Sequence, residues 1–441
     1  MSTQWRRILI ALLFFASLNG CLLDGSLPDR SAPDELGFNY WYLQHLYIYP
    51  QELPAQTVIA NKGDSLVQSG AEPPSTLTGM NSQNYFSVMS LYASLSDRFT
   101  RYVAPAKAAA ETQRDTSTQV QGAIGVEIEW NLESDSCRLQ MYHVYPDDPA
   151  EAAGIRVGDR IVAVNGVNLQ SDQAGVNYNA ATKDSLWLRF DLLRAGQSLH
   201  IEVKRGAVWV PTVFVDSSNT APVIQIREFM RSSIKQGGTD LEFHKALLAT
   251  QNKGVRVLDL RHNPGGEVGI CLNMANEFLS IGKPIVHLIQ HSFSGRGFAR
   301  IDTVDYLAKA GGLATTASVV LAVDSSTASC AEIFTAAVKQ NLGTRAMVVG
   351  SHTYGKAIGQ SRWNTPAGGI AVITSIQIRT PDWTDYEHRG ISADVIVDDS
   401  EIMAKSLELA SDSGKTLARH SILPISEMPT PPRGGAWIQE N

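Results

Sequence analysis

Cysteine is scarce in this chain, with four in 441 residues. No paired C-x-x-C occurs and no H-E-x-x-H appears, so a metal centre is not expected, and no cofactor motif takes its place. Excess positive charge is missing too. The 37 Lys and Arg stand against 44 Asp and Glu, a net charge of -7 that argues against a nucleic-acid surface. The G-x-S-x-G elbow of a Ser-His-Asp hydrolase is absent, which leaves His262 and His352 without the motif that such a triad needs. His262 stands in a glycine turn, where it has a structural reading and a substrate-contact reading. What remains is an ordinary globular composition, 44% hydrophobic and 18% charged, with room for two or three domains.

The N-terminus carries Arg6-Arg7 and then an apolar run from Ile8 to Leu18. That run is too short to span a bilayer comfortably and is shaped like a signal peptide. It ends Leu18-Asn-Gly-Cys21, which resembles the lipobox of bacterial lipoproteins. The resemblance implies a signal peptide over 1–20 and lipidation of Cys21, whose two acyl chains suffice for stable anchoring. Ordinary secretory cleavage is the alternative. Leu22, in place of Asp, resembles outer-membrane sorting, so the expected location is the cell envelope, facing the periplasm or the cell surface. Setting Cys21 aside leaves Cys137, Cys271 and Cys330, an odd number that cannot all pair within one chain.

The chemistry concentrates between Ser325 and Gln360. Ala317–Val323 reads as a buried parallel strand, followed by small hydroxyl residues and a helical pattern from Ala328. Ser329 therefore falls at a helix N-terminus, beside amides able to hold an oxyanion. Its local alternative is a capping box, since Ser329 and Glu332 make S-x-x-E. A second buried strand, Ala346–Gly350, leads to Gly355-Lys356. The spacing Gly350 to Lys356 mimics a phosphate-binding loop, but Ala357 stands where Ser or Thr would hold magnesium. A third strand, Val255–Leu260, ends in Arg-His-Asn-Pro-Gly265-Gly266, whose paired glycines leave amides open to a ligand.

Together the strand ending Asp259-Leu-Arg-His-Asn-Pro-Gly-Gly266, the helix start Thr327-Ala-Ser-Cys-Ala-Glu-Ile333 and the later Gly355-Lys-Ala-Ile-Gly-Gln360 resemble the C-terminal processing peptidases, or tail-specific proteases. The resemblance covers roughly residues 80–400. It implies an α/β, Clp/crotonase-like spiral ββα core and a serine-type endopeptidase. Ser329 is then the nucleophile and Lys356 the base, with Gln360 orienting the lysine. Backbone amides of Gly265 or Gly266 and of Cys330 are the candidate oxyanion hole. A lysine normally titrates near about 10.4, so it must be desolvated to arrive neutral. Two departures stand out: the Ser-to-Lys gap is slightly long, with the extra length in 339–344, and Gln340 and Asn341 occupy a region often acidic in the family. Cys330 replaces a small residue, which suggests a redox brake, a second nucleophile or a small buried hydrophobe.

The remaining segments follow in order. A tether spans 21–35. A helical region over 36–116 is rich in aromatics, where His45 reads as core. Residues 117–207 resemble a PDZ domain, with Ala123, Ile124, Gly125 and Val126 as the carboxylate-binding loop and a substrate tail adding as a strand. Within it, Trp187–Gly196 and Leu199–Val203 are expected to supply a helix and a closing strand. The peptidase core runs over 208–410, and the proline-bearing tail over 411–441 is expected to be partly disordered. The partners implied are protein or peptide substrates held by their C-terminal tails, the membrane through Cys21, and an adaptor protein. The alternative is a noncatalytic peptide- or ligand-binding lipoprotein on the same scaffold.

Overall fold

The computed structural model describes residues 34–411 apart from 78, 131–138, 172, 253 and 295–298. Cys21, Cys137, the signal-like run and the proline-bearing tail lie outside the described residues. The N-terminal region contains helices α1 (Glu35–Leu46), α2 (Gln56–Gln68), α3 (Ser82–Tyr92) and α4 (Pro105–Thr116), with strand β1 (Arg101–Val103) before the last. Asp34 caps α1 and Asn81 caps α3, each side chain accepting an otherwise orphaned helix amide. Tyr42, Leu43, Leu46, Val88 and Leu91 are buried together with Ala371 and Ile373, so this region packs directly on the core. His45 stacks on Trp41 and bonds its carbonyl at 2.7 Å, a packing role.

The next unit is a small β-rich domain. It holds β2 (Gln119–Ala123), β3 (Val126–Trp130), β4 (Leu139–Val144), α5 (Pro149–Ala152), β5 (Arg160–Val164), β6 (Val167–Asn168), α6 (Ala174–Thr182), β7 (Trp187–Arg194), β8 (Gln197–Lys204) and β9 (Gly206–Trp209). The sheet order is β3-β4-β5-β7-β8, and β3 forms one edge. The helix expected over 187–196 is instead strand β7, hairpinned to β8. Burial alternates there, with Leu188, Phe190 and Leu192 inside and Trp187 and Arg189 outside, a period of two. Ala195 and Gly196 both have positive φ, as a two-residue hairpin turn requires. Glu127 of β3 pairs with Arg227 and accepts from the Tyr145 hydroxyl at 2.8 Å, tying this domain to the core.

One carboxyl in this domain carries a stability prediction. Asp148 precedes α5 and is 1% exposed, and among the described hydrogen bonds neither carboxyl oxygen has a partner. Burial pushes its pKa up to about 6. Between the ordinary value and that one, the folded state binds more protons than the unfolded, so stability falls as pH rises through the window. Asp148→Asn is expected to raise Tm at pH ~7.5 and to change it little at pH ~4, below most of the window. Thermal unfolding at the two pH values checks this; a Tm lowered at the higher pH contradicts it.

The core holds β10 (Val213–Asp216), β11 (Val223–Ile226), α7 (Thr239–Ala249), β12 (Arg256–Asp259), α8 (Val268–Asn276), β13 (Pro284–Phe293), β14 (Ala299–Leu307), β15 (Val319–Val323), α9 (Cys330–Leu342), β16 (Ala346–Gly350), β17 (Ile358–Asn364), β18 (Ile370–Arg379), β19 (Val395–Ile396) and α10 (Ile402–Ser411). One sheet runs β10-β11-β12-β15-β16-β19, parallel from β11 onward. Its strands β15 and β16 are apolar throughout because both faces are covered. Leu258, Val319, Leu321 and Val323 face α7, α8 and α9, while Val257, Val320, Ala322 and Met347 face α10. A second sheet, β1-β18-β13-β14 with β17 on β18, closes the other side of the helices. This is the layered α/β core expected from alternating strands and helices.

Candidate active site

Three adjacent parallel strands, β12, β15 and β16, end at one edge of the sheet. The glycine turn follows β12, Ser329 follows β15, and Lys356 follows β16. Loops after neighbouring parallel strands necessarily meet at the C-terminal edge, where open α/β sheets bind ligands. Hydrogen bonds then knit the loops. Ala328 N–H donates to Asn263 C=O at 2.9 Å, and Tyr354 N–H donates to Thr327 C=O at 2.9 Å. The Thr327 hydroxyl reaches Leu260 C=O at 2.9 Å.

Ser329 is the N-cap of α9, with φ 55° and ψ -116°. A non-glycine residue there is strained by about 1–3 kcal/mol and persists only where its surroundings over-determine it. Glu332 supplies that constraint. Its carboxylate is fully buried and accepts four hydrogen bonds. Oε2 takes the N–H groups of Ser329 and Lys356, each at 2.8 Å. Oε1 takes the Thr353 hydroxyl at 2.6 Å and the Gly355 N–H at 2.7 Å. The capping box foreseen at Ser329 is present, and the same carboxylate also clamps the Lys356 loop. Burial nevertheless pushes its pKa up.

The lysine is enclosed. Burial pushes the Lys356 pKa down from the ordinary lysine value. Its Nζ lies 4.3 Å from the centre of the Phe99 ring and donates to Gln360 Oε1 at 3.1 Å. A register shift between Gly359 and Gln360 sets Gln360 opposite Thr374, and its Nε2 donates to the Thr374 hydroxyl at 3.0 Å. A bulge of this kind re-aims a side chain out of simple alternation.

The glycine turn divides its amides between structure and site. Gly265 packs so closely that an added Cβ would lie 2.8 Å from Ser329 Cβ and 3.0 Å from Cys330 N. Its N–H, however, donates to Asn263 Oδ1 at 2.9 Å, so the expectation of Gly265 as an oxyanion donor is corrected. Gly266 bridges Phe229 through its neighbours' groups, with Phe229 N–H on Gly265 C=O and Glu267 N–H on Phe229 C=O. Among the described hydrogen bonds the Gly266 N–H has no acceptor. Cys330 opens α9, so its N–H has no acceptor within the helix. Gly266 and Cys330 are thus the two candidate donors beside Ser329.

The Cys330 thiol is buried in the α8–α9 contact, 2.6 Å from the Cys271 sulfur. That environment fits the small buried hydrophobe. His262 is exposed, with Nδ1 2.8 Å from Asp324 Oδ2. The His352 Nδ1 is buried without a partner. Among the described hydrogen bonds, neither ring reaches Ser329. In the β-rich domain, Gly122 and Gly125 have positive φ, and a Cβ on Gly125 would lie 2.5 Å from Asp148 Cβ. Ala123 to Val126 join β2 to β3 there, with the Ile124 side chain buried.

Comparison with known proteins bears on this arrangement. Residues 221–397 match the model of peptidase family S41, spanning the glycine turn, Ser329 and Lys356. The core is thus similar to peptidase family S41. Residues 142–180 match the PDZ domain. The Staphylococcus aureus (strain COL) protein named Probable CtpA-like serine protease is 29% identical over 278 residues, 62% of this chain and 53% of its own length. A protein of the same name from Staphylococcus epidermidis (strain ATCC 12228) is 29% identical over 311 residues, 69% of this chain and 58% of its own. This chain therefore spans about half the length of the curated relatives it matches. A solved S41 structure from Bacteroides fragilis NCTC 9343 covers 86% of this chain and 95% of its own, at 13% identity and a TM-score of 0.50, a likeness of fold.

Two residues of the site went unread as site residues in the sequence. Thr374 carries no motif and meets Gln360 only through tertiary packing, and Phe99 lies in the Asp97–Pro105 segment, which resembles the family's stretch before its PDZ domain and gave no sign of a contact with Lys356. Glu332 was visible as half of a cap, but its second role depends on a loop 24 residues away.

Proposed function

We propose that this chain is a serine-type endopeptidase that grips protein C-termini in its PDZ domain and cleaves nearby through Ser329. The observation that carries the reading is the buried Glu332 carboxylate, one oxygen of which holds the backbone of both Ser329 and Lys356. Neutral Lys356 takes the Ser329 proton as Oγ attacks the scissile carbonyl. The N–H groups of Gly266 and Cys330 receive the oxyanion, each lowering the barrier by about 3 kcal/mol. The lysine then protonates the leaving amine, and water, deprotonated in turn by Lys356, hydrolyses the acyl-enzyme on Ser329. Gln360 accepts one Lys356 N–H throughout.

Tail capture uses the open edge of β3. A substrate terminus adds there as a strand, its carboxylate on the amides of the 123–126 loop. Arg227, bound to Glu127 of that strand, directly follows Ile226, whose carbonyl holds Asn263 of the glycine turn at 2.8 Å. This supports a short path from the PDZ domain to the S41 site. The same reading places the enzyme at the cell envelope, anchored through lipidated Cys21, with an adaptor protein as a candidate partner.

The test is cleavage of unfolded β-casein by the chain lacking residues 1–21, with Ser329→Ala beside it. Cleavage by the wild type and its loss in the variant, at unchanged Tm, are expected. A variant that cleaves at the wild-type rate overturns the nucleophile assignment, and a wild type that binds casein without cutting it overturns the peptidase.

A further inference from the structure

The hydrogen-bond chain from Lys356 does not stop at Thr374. The Thr374 hydroxyl donates to Asp97 Oδ2, in the turn between α3 and β1. The same turn supplies Phe99, whose ring faces Lys356 Nζ. Asp97 is itself held in place. Its Oδ1 accepts the Phe99 N–H at 2.8 Å, and its Oδ2 accepts the Thr100 hydroxyl at 2.6 Å. Thr100 in turn accepts the Thr374 N–H at 2.9 Å.

We propose that Asp97 and Thr374 are positioning residues that dictate the direction of every hydrogen bond up to the base. The inference rests on the peptidase reading given above. An ionised carboxylate only accepts, so the Thr374 hydrogen must point to Asp97. Thr374 Oγ1 can then only accept from the other side, which turns the Gln360 amide so that its NH2 faces Thr374. The Gln360 carbonyl oxygen is left facing Lys356 Nζ. A neutral lysine amine has two hydrogens and one lone pair. Spending a hydrogen on Gln360 leaves the lone pair free for the Ser329 hydroxyl. The opposite amide orientation would donate a hydrogen to that lone pair and quench the base. Asp97, on the N-terminal region, thereby sets the state of a lysine it does not touch. It also lies outside the 221–397 match, so an isolated S41 domain lacks the end of the relay.

The experiment uses a fluorophosphonate probe on the folded chain without residues 1–21. Ser329 Oγ bonds to phosphorus, the P–F bond breaks, fluoride leaves, and the serine proton passes to Lys356. Labelling rate therefore reports activation of the serine without any knowledge of the natural substrate. Casein kcat and KM are measured alongside. Thr374→Val, which keeps the shape and loses the hydroxyl, is expected to lower labelling and kcat by about 10²-fold, with KM and Tm near wild type. Asp97→Asn is expected to fall similarly, and Thr374→Ser to restore labelling. Wild-type labelling in Thr374→Val overturns the relay, as does an equal loss in Thr374→Ser at intact Tm. If Asp97→Asn fails to fold, the two Thr374 variants decide. A wild type whose labelling survives Ser329→Ala fails at the peptidase reading itself, before the relay is reached.

Discussion

Lys356→Arg is expected to cost about 10³-fold or more in kcat, although it preserves a long cationic side chain. An arginine stays protonated at every working pH, so it can hold a charge here and cannot accept the serine proton. The pH profile carries the same information. Burial lowers the Lys356 pKa, so the wild-type rate should rise with pH through a midpoint below the ordinary lysine value, about 10.4. Stability moves with pH in the same direction. Below the folded-state pKa the buried ammonium costs its full desolvation, and the cost is relieved as pH rises toward the unfolded value. Lys356→Met is therefore expected to be inactive and yet more heat-stable than wild type at pH ~7. Measured kcat for the arginine variant and Tm for the methionine variant check both halves. Wild-type turnover in Lys356→Arg would show that the lysine serves only as a charge.

Glu332 should be the most costly residue of the site to replace, because fold and chemistry both lean on it. Its four acceptor bonds join the α9 N-terminus to the 353–356 loop around a buried carboxylate. Glu332→Ala strands four donors, two of them in buried bonds, and each unsatisfied group costs about 1–3 kcal/mol less whatever relaxation recovers. A loss of about 3–5 kcal/mol in unfolding free energy is expected. Glu332→Gln separates shape from charge pattern. It has the same size, but its NH2 must face two donors, either Ser329 and Lys356 or Thr353 and Gly355. Loss of about 10²-fold in kcat is expected even where the protein remains folded, since the clash displaces one of the two loops. Denaturant unfolding and steady-state kinetics on both variants decide. A glutamine variant with wild-type kcat would mean that the loops are held by packing alone.

Much of this site could be read before any coordinates. Val319–Val323 and Ala346–Gly350 are apolar runs bounded by small residues, and strands buried on both faces must look like that. Ser329 at a helix start and the paired glycines 265 and 266 are local features, fixed by the conformations those residues allow within a few positions. Misreading began where local periodicity was ambiguous. Trp187–Arg194 has enough leucine and arginine to suggest a helix, and only the alternating burial of Leu188, Phe190 and Leu192 against the sheet resolves it as a strand.

What the residue order determined by itself was the inventory: a serine on a helix cap, a lysine after a buried strand, a glycine turn, and a PDZ-like segment ahead of them. The tertiary structure alone decided which groups face which. Gly265 spends its amide on Asn263 while Gly266 does not, a choice made by how the turn docks on β11. Cys330 finds Cys271 59 residues away, and Thr374 finds Asp97 277 residues away. The physical reason is that strand and cap formation answer to neighbours along the chain, whereas hydrogen-bond direction inside a site answers to groups delivered by separate strands. Their juxtaposition depends on sheet register and on the N-terminal region folding against β18, and no local pattern encodes either.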